Sequence, residues 1–389
     1  MQQIHVGFFS AKDYLDKTEL SGVIYNTHQA LKSRDMEIIG VRNPINHSGY
    51  FKKIKRNIDK FIPVKSTSIR DSKARFAGNF QKRIKAGPCD LLFCPFSSTE
   101  LSFLATSLPI VYLSDATVKQ INETYKIYST PEEFILASQE ETAAISRANK
   151  LVYSSEWAAN SAVSDYGANP NKIEIVPFGA NVEKEKVPEV NQILNKCLNS
   201  RCRLLFIGTN WTRKGGNIAF ETLVSLINQG IDAELLMIGC IVPPEFKHER
   251  VKVMPFLNKN IPQQQEQYFK LLLESHFLIS PTRADCSPMV FAEANAYGIP
   301  VITTDVGGIP TIIRNGRNGY MFPLSASSDE YANLIATNFS DKDTYEQLVR
   351  FSREEYETRL NWDTWGQRIY DIMKDTINYS GSHLSAVQF

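Results

Sequence analysis

SPTRADCSPMVFAEANAYGIPVITTDVGG, from Ser280 to Gly308, reads as a strand end, a loop, a helix and the next strand. The flanking runs Phe277–Ser280 and Val301–Thr304 are short and apolar or β-branched, as strands buried on both faces are. Between them Ser287 is a good N-cap, Pro288 suits the first helical position, and Gly298 with Pro300 ends a helix expected over Pro288–Tyr297. Strand, helix, strand is the repeating unit of a parallel sheet.

Working outward, the same alternation fills the chain. One set of strand candidates is Ile4–Phe9, Glu37–Val41, Leu91–Cys94, Ile110–Leu113, Lys150–Tyr153 and Ile173–Val176. The other is Arg203–Ile207, Glu234–Ile238, Val251–Met254, Phe277–Ser280 and Val301–Thr304. With 389 residues, two α/β domains are expected, each a doubly wound sheet. The expected division is 1–178, a linker at 179–200, 201–355, and a helical tail at 356–389. After Phe322 the pattern turns helical and no further strand is expected, so the tail must pack on something already built.

Composition is ordinary for a globular chain, with 43% hydrophobic and 22% charged residues and a formal net charge of +1. The charge is unevenly spread: Phe51 to Lys85 holds twelve Lys/Arg against Asp59 and Asp71. Within it, residues 51–62 place Phe51, Ile54, Ile58 and Phe61 near helical spacing among lysines. Two readings stand: a helix lying peripherally on an anionic membrane, or a core-facing helix with a solvated basic face. No nucleic-acid recognition motif surrounds the run, so no nucleic-acid partner is expected. The six cysteines form no C-x-x-C pair or zinc spacing, and no metal is expected. The string Asp341-Lys342-Asp343 lies in a helical region and reads as surface charge. Neither a leader peptide nor a run of about 20 apolar residues is evident, so the expected location is cytoplasmic, with peripheral membrane contact left open.

Asp285 and Glu293 stand eight positions apart, one on the loop and one inside the helix, where the first-turn amides of Met289 and Val290 are available to an anion. From spacing alone these read as a turn former and a solvated helix residue sooner than as a site. A second stretch, LLFIGTNWTRKGGNIAFETL, runs strand, glycine loop, helix, with Arg213 and Lys214 at the turn, which reads either as a basic pair reaching a diphosphate or, by default, as a solvated pair on an exposed loop.

Asp285–x7–Glu293 with EANAYGIPVITTDVGGIP resembles the acidic–x7–Glu signature of the retaining glycosyltransferases of family 4, which have the GT-B fold. FIGTNWTRKGG is similar to their phosphate-binding loop, VPFGAN to the handover between domains, and NGYMF to the stretch after the site. The resemblance implies two Rossmann-like domains facing a cleft, with the C-terminal helix returning towards the N-terminal domain. It implies that Glu293 holds the donor ribose, that Asp285 lies near the transferred sugar, and that Lys214 with Arg213 offsets the leaving diphosphate. Ser287, Met289 and Val290 would approach sugar or phosphate, and Phe256 and Leu257 the base. Gly22, in ELSGVIYNTHQALKS, would face the diphosphate from the first domain, although a turn needing glycine explains it equally well. The sequence departs from the family in having Asp285 for the usual Glu and Gly208-Thr209 for the usual Gly-Arg.

In the N-terminal half, CPFSSTE offers Ser97, Ser98 and Glu100, YLSDAT offers Asp115, and SSEW offers Glu156. Ser97 and Asp115 are the acceptor-side candidates; Asp115 reads nearly as well as a helix N-cap and Glu156 as first-turn stabilisation. The expected function is therefore retaining, metal-independent hexosyl transfer from a nucleotide-diphosphate sugar, UDP favoured, to a glycan or lipid-linked acceptor in envelope or extracellular polysaccharide synthesis. No separate cofactor is expected. The rivals are a nucleotide-sugar 2-epimerase of the same fold and a non-catalytic nucleotide- or glycan-binding protein.

Overall fold

The computed structural model describes residues 3–34, 36–40, 66–195 and 201–386; the stretch 51–62 and its two readings lie outside them. The chain divides into two compact units. The first takes in the chain up to Tyr153, Ala158–Val176 and the residues from Gly366 on; the second takes Ser154–Trp157 and Pro177–Trp365.

In the first unit β1 (Ile4–Phe8), β2 (Met36–Gly40), β3 (Leu91–Pro95), β4 (Ile110–Ser114), β5 (Lys150–Tyr153) and β6 (Ile173–Ile175) form a sheet in the order β2-β1-β3-β4-β5-β6. All its pairings are parallel. The helix Trp362–Ala386 brings buried Ile369, Ile372 and Met373 to this unit, and Arg368 pairs with Glu174 at 2.6 Å.

The second unit holds β7 (Cys202–Ile207), β8 (Ala233–Ile238), β9 (Val251–Met254), β10 (Phe277–Ser280), β11 (Val301–Thr304) and β12 (Gly319–Phe322). Their order is β12-β11-β10-β7-β8-β9, again all parallel. Strand β12 was not among the expected strands. It is an edge strand, buried at Gly319 and only partly so over Tyr320–Phe322, so it lacks the apolar run that gave the others away.

Successive strand residues feed two separate cores. Leu205, Leu278 and Val301 join Tyr268, Phe269 and Leu272 of the helix Pro262–Glu274 and Phe291 of the helix Met289–Ala296. Leu204, Phe206, Phe277, Ile279 and Ile302 join Ala219, Leu223 and Leu226 of the helix Gly216–Asn228. This period of two, buried on both faces, is why the strands read as unbroken apolar runs, and each full side-chain burial contributes about 1.5–3 kcal/mol. The described part of the stretch read as a linker packs here as well: Ile193 is fully buried in the second core, and Val182 and Val187 lie against the first.

Candidate active site

Sheet order positions the site. In the second unit the chain starts at β7, winds outward through β8 and β9, then returns to lay β10 on the other side of β7. The loops after β7 and β10 therefore leave the sheet side by side at its switch point, the place where open α/β sheets bind ligands. Those loops carry the Arg213-Lys214 pair and Asp285.

The two loops are joined by main-chain bonds. The Arg283 amide donates to the Arg213 carbonyl at 2.7 Å, and Thr282 Oγ1 lies 3.1 Å from the same oxygen. Gly215 ends the short helix Trp211–Lys214 at φ 73°, and a Cβ there would run into the Pro281 carbonyl oxygen. Only glycine tolerates both the left-handed backbone and that approach. Asn210 caps the same turn, accepting from the Arg213 amide at 2.9 Å.

Held this way, Lys214 Nζ reaches Asp285 Oδ2 at 2.5 Å, and Arg213 Nη1 stands 3.5 Å from the same oxygen while donating to the Ala284 carbonyl at 2.7 Å. Lys214 and Asp285 are only 8% and 7% exposed. Two cations on one carboxylate leave a surplus positive charge in a poorly solvated place, where it acts strongly on an anion. The sequence expected these three residues to serve one ligand; they are also partners of one another.

The helix after β10 runs Met289–Ala296, with Pro288 rather than Ser287 at the N-cap and no side-chain cap. Here the expectation of a Ser287 cap fails. The Ser287 hydroxyl is instead 2.7 Å from the Ser154 hydroxyl. The Phe291 amide bonds the Pro288 carbonyl at 3.0 Å, and the Met289 and Val290 amides stand ahead of that bond at the positive end of the helix.

Glu293 is 1% exposed. Its carboxylate accepts from Lys259 Nζ at 2.5 Å on Oε1 and from the Tyr268 hydroxyl at 2.5 Å on Oε2. Burial, and then the neighbouring carboxylate, push the Tyr268 phenol well above its ordinary range, so it remains a donor. Neither partner was anticipated; both come from the stretch between β9 and β10, with no motif to mark them. Of the two expected base contacts, Phe256 is 56% exposed while Leu257 is buried in the core. Asp341 caps the helix Lys342–Thr358, accepting from the Asp343 and Thr344 amides, which accounts for the Asp-Lys-Asp string.

The N-terminal candidates sit differently. Gly22 has φ 87° at the N-cap of the helix Val23–Lys32, after Leu20 and Ser21, which are also left-handed at 46° and 57°. Ser97 is fully buried, its hydroxyl 2.7 Å from the carbonyls of both Phe9 and Pro95. Asp115 is half-buried beyond β4, and the N-cap of the next helix is Thr117, which forms a capping box with Gln120. Glu100 has its carboxyl raised by burial. Glu156 opens the helix Glu156–Tyr166 and is bonded by the Thr311 hydroxyl. A buried carboxyl that sequence reading passed over, Glu141, accepts from the Tyr112 hydroxyl at 3.1 Å.

Known proteins share sequence and fold with this chain. A D-inositol 3-phosphate glycosyltransferase of Streptomyces bingchenggensis is 23% identical over 291 residues, 69% of this chain and 62% of that one. Spore coat protein SA of Bacillus subtilis is 25% identical over 191 residues, 45% of this chain and 49% of that one. The matched part thus spans about half to three fifths of these relatives' length. Among solved structures, sucrose-phosphate synthase from Thermosynechococcus elongatus superposes with a TM-score of 0.69, at 15% identity, over 97% of this chain and 100% of that one. Anabaena HepE, crystallised with UDP and glucose, gives a TM-score of 0.62 at 16% identity over 96% and 100%. These likenesses place both units in the GT-B fold. Residues 201–341, which contain Lys214, Asp285 and Glu293, match the model of the group 1 glycosyl transferases.

Proposed function

We propose that the protein is a glycosyltransferase that moves a sugar from a nucleotide-diphosphate donor held by its second unit. The observation that carries this reading is the convergence of Lys214 and Arg213 on Asp285 at the switch point of that unit. Departure of a nucleoside diphosphate builds negative charge on the leaving oxygens, and preorganised cations beside a helix N-terminus stabilise it. Lys214 and Arg213 supply that charge from the protein itself, so the reading is of metal-independent transfer. In the free protein Asp285 holds both cations in place. With donor bound, the diphosphate takes over part of their charge, and Asp285 is released towards the transferred sugar as an orienting group.

UDP is the favoured carrier, as HepE was crystallised with it. Retention of configuration, a hexose as the moved sugar and a glycan or lipid-linked acceptor in envelope polysaccharide synthesis complete the reading. Asp115, half-buried beyond β4, is the acceptor-side group we assign. Cytoplasmic action fits a nucleotide-sugar donor; among the described residues no helix is long and apolar enough to cross a membrane.

A thermal-shift screen of UDP-, GDP- and ADP-sugars, followed by release of nucleoside diphosphate with candidate acceptors, tests the proposal. Stabilisation by none of them, or by sugars lacking the diphosphate equally well, ends it. Conversion of the donor sugar without acceptor would indicate the epimerase, and binding without turnover the non-catalytic rival. Asp285→Asn keeps the shape and removes the charge. It should lower turnover more than about tenfold while the diphosphate still binds, and near-normal turnover would refute the orienting role.

A further inference from the structure

Resting on the reading of Glu293 as the ribose-binding group, we infer that Lys259 and Tyr268 are the positioning pair that makes this site select ribonucleotides over deoxyribonucleotides.

The inference begins from an accounting of acceptor sites. A carboxylate has about four lone-pair positions over its two oxygens. Lys259 occupies one on Oε1 and Tyr268 one on Oε2, each at 2.5 Å. One position per oxygen is left, which is what the two adjacent hydroxyls of a ribose need. The two donors also fix the plane of the carboxylate, because they pull on different oxygens. Their own positions are set independently. Lys259 Nζ lies 4.5 Å from the Tyr268 ring centroid, a cation–π contact that ties the pair together. The turn that carries Lys259 is closed by Gln264 Oε1 accepting from the Asn258 amide at 2.7 Å and by the Ile261 amide donating to the Asn258 carbonyl at 3.0 Å.

Charge gives a second reason for the lysine. A bare carboxylate at 1% exposure would be costly to bury and would repel an incoming diphosphate. Lys259, with 19% of its side chain exposed, cancels that charge without taking the remaining acceptor positions. Lys259 follows Phe256 by three residues on the same connection, so one loop carries both the expected base contact and the anchor of the ribose carboxylate.

The test is titration calorimetry of the full chain with UDP and GDP and with their 2′-deoxy forms. The unaltered protein should bind the ribo form at least about tenfold more tightly, one charge-assisted hydrogen bond's difference. Tyr268→Phe should weaken ribonucleotide binding about tenfold and leave deoxyribonucleotide binding within about twofold; Lys259→Met should weaken both through the uncompensated carboxylate, the ribo form about tenfold further, so that each variant collapses the ratio. Lys259→Arg should keep most of the preference. Equal weakening of both sugars, or of neither, overturns the inference, since a merely structural pair would not sense the 2′-hydroxyl. Lys259→Met, at a partly open position, decides the matter if Tyr268→Phe does not fold. Indifference of the unaltered protein to the 2′-hydroxyl would instead remove the ribose role of Glu293 itself. That failure is distinct, because it shows before any substitution is made.

Discussion

Both units end their central strands in buried polar groups, but they satisfy them by opposite means. In the second unit the groups are ionised and paired: Asp285 with Lys214 and Arg213, Glu293 with Lys259. In the first, hydroxyls meet carbonyls or a single acid: Ser97 lies on two carbonyls, and Tyr112 donates to Glu141. Among the described residues Glu141 has no counter-ion, and burial pushes its carboxyl up to about 7. Ion pairs in a poorly solvated place are costly unless something makes use of them, so the pairing of Asp285 with two cations at the switch point is where the proposed charged ligand would be handled. The neutral set is what a scaffold or a site for an uncharged partner requires.

The largest effect should come from removing a cation on the charged side. Lys214→Met deletes one of two positive charges at Asp285 and should weaken nucleoside diphosphate binding about 100-fold, measured by calorimetry. It should also destabilise the fold, because Asp285 loses its shortest partner. Adding Asp285→Asn sharpens the comparison. The double variant should regain stability while binding stays weak; recovery of binding as well would show Lys214 to be only the partner of Asp285.

How much of this was legible follows the same division. Arg213, Lys214 and Asp285 were legible through the family resemblance of the loops that carry them; taken alone, a basic pair and an acid on exposed loops read as solvated charge and a turn former. Glu141 was not legible: in EETAAISR it looks like surface charge, and only packing against β4 reveals that it shares the inner face of its helix with Ala137, Ala144 and Ile145. Lys259 and Tyr268 reach Glu293 from 34 and 25 residues away, distances that no local pattern encodes. Ser287 looked like a cap because its neighbours fit one, yet a hydroxyl 133 residues distant claims it. The strands with both faces buried were plain, while half-buried β12 escaped.

The neutral side offers a second test, one of pH. Glu141 has a folded-state pKa above its unfolded one, so the folded protein holds a proton that the unfolded chain has released. The contribution of Glu141 to stability should therefore be greatest in acid and fall as pH rises from about 4.5 to about 7, then level off. Glu141→Gln keeps the contact with Tyr112 and removes the ionisation. It should gain about 1–3 kcal/mol at pH 8 and nothing at pH 4, read from denaturant melts across pH. A pH-independent gain would mean that Glu141 is compensated by charge, and the contrast between the two units would weaken.

The smallest effect is expected at Ser97, where the comparison can be broken outright. Its hydroxyl is spent between the Phe9 and Pro95 carbonyls, so it shapes the turn after β3 from inside the protein. Ser97→Ala should cost about 1 kcal/mol in a denaturant melt, because two carbonyls lose a shared donor, and should leave nucleotide binding unchanged. Suppose instead that stability is untouched while transfer to acceptor collapses. Ser97 would then be an acceptor contact, and the neutral side would be handling a ligand of its own. A buried hydroxyl can serve both ends only if the turn opens when the acceptor arrives. A variant that lost both roles would bind acceptor more weakly, so its stability deficit would widen when acceptor is added.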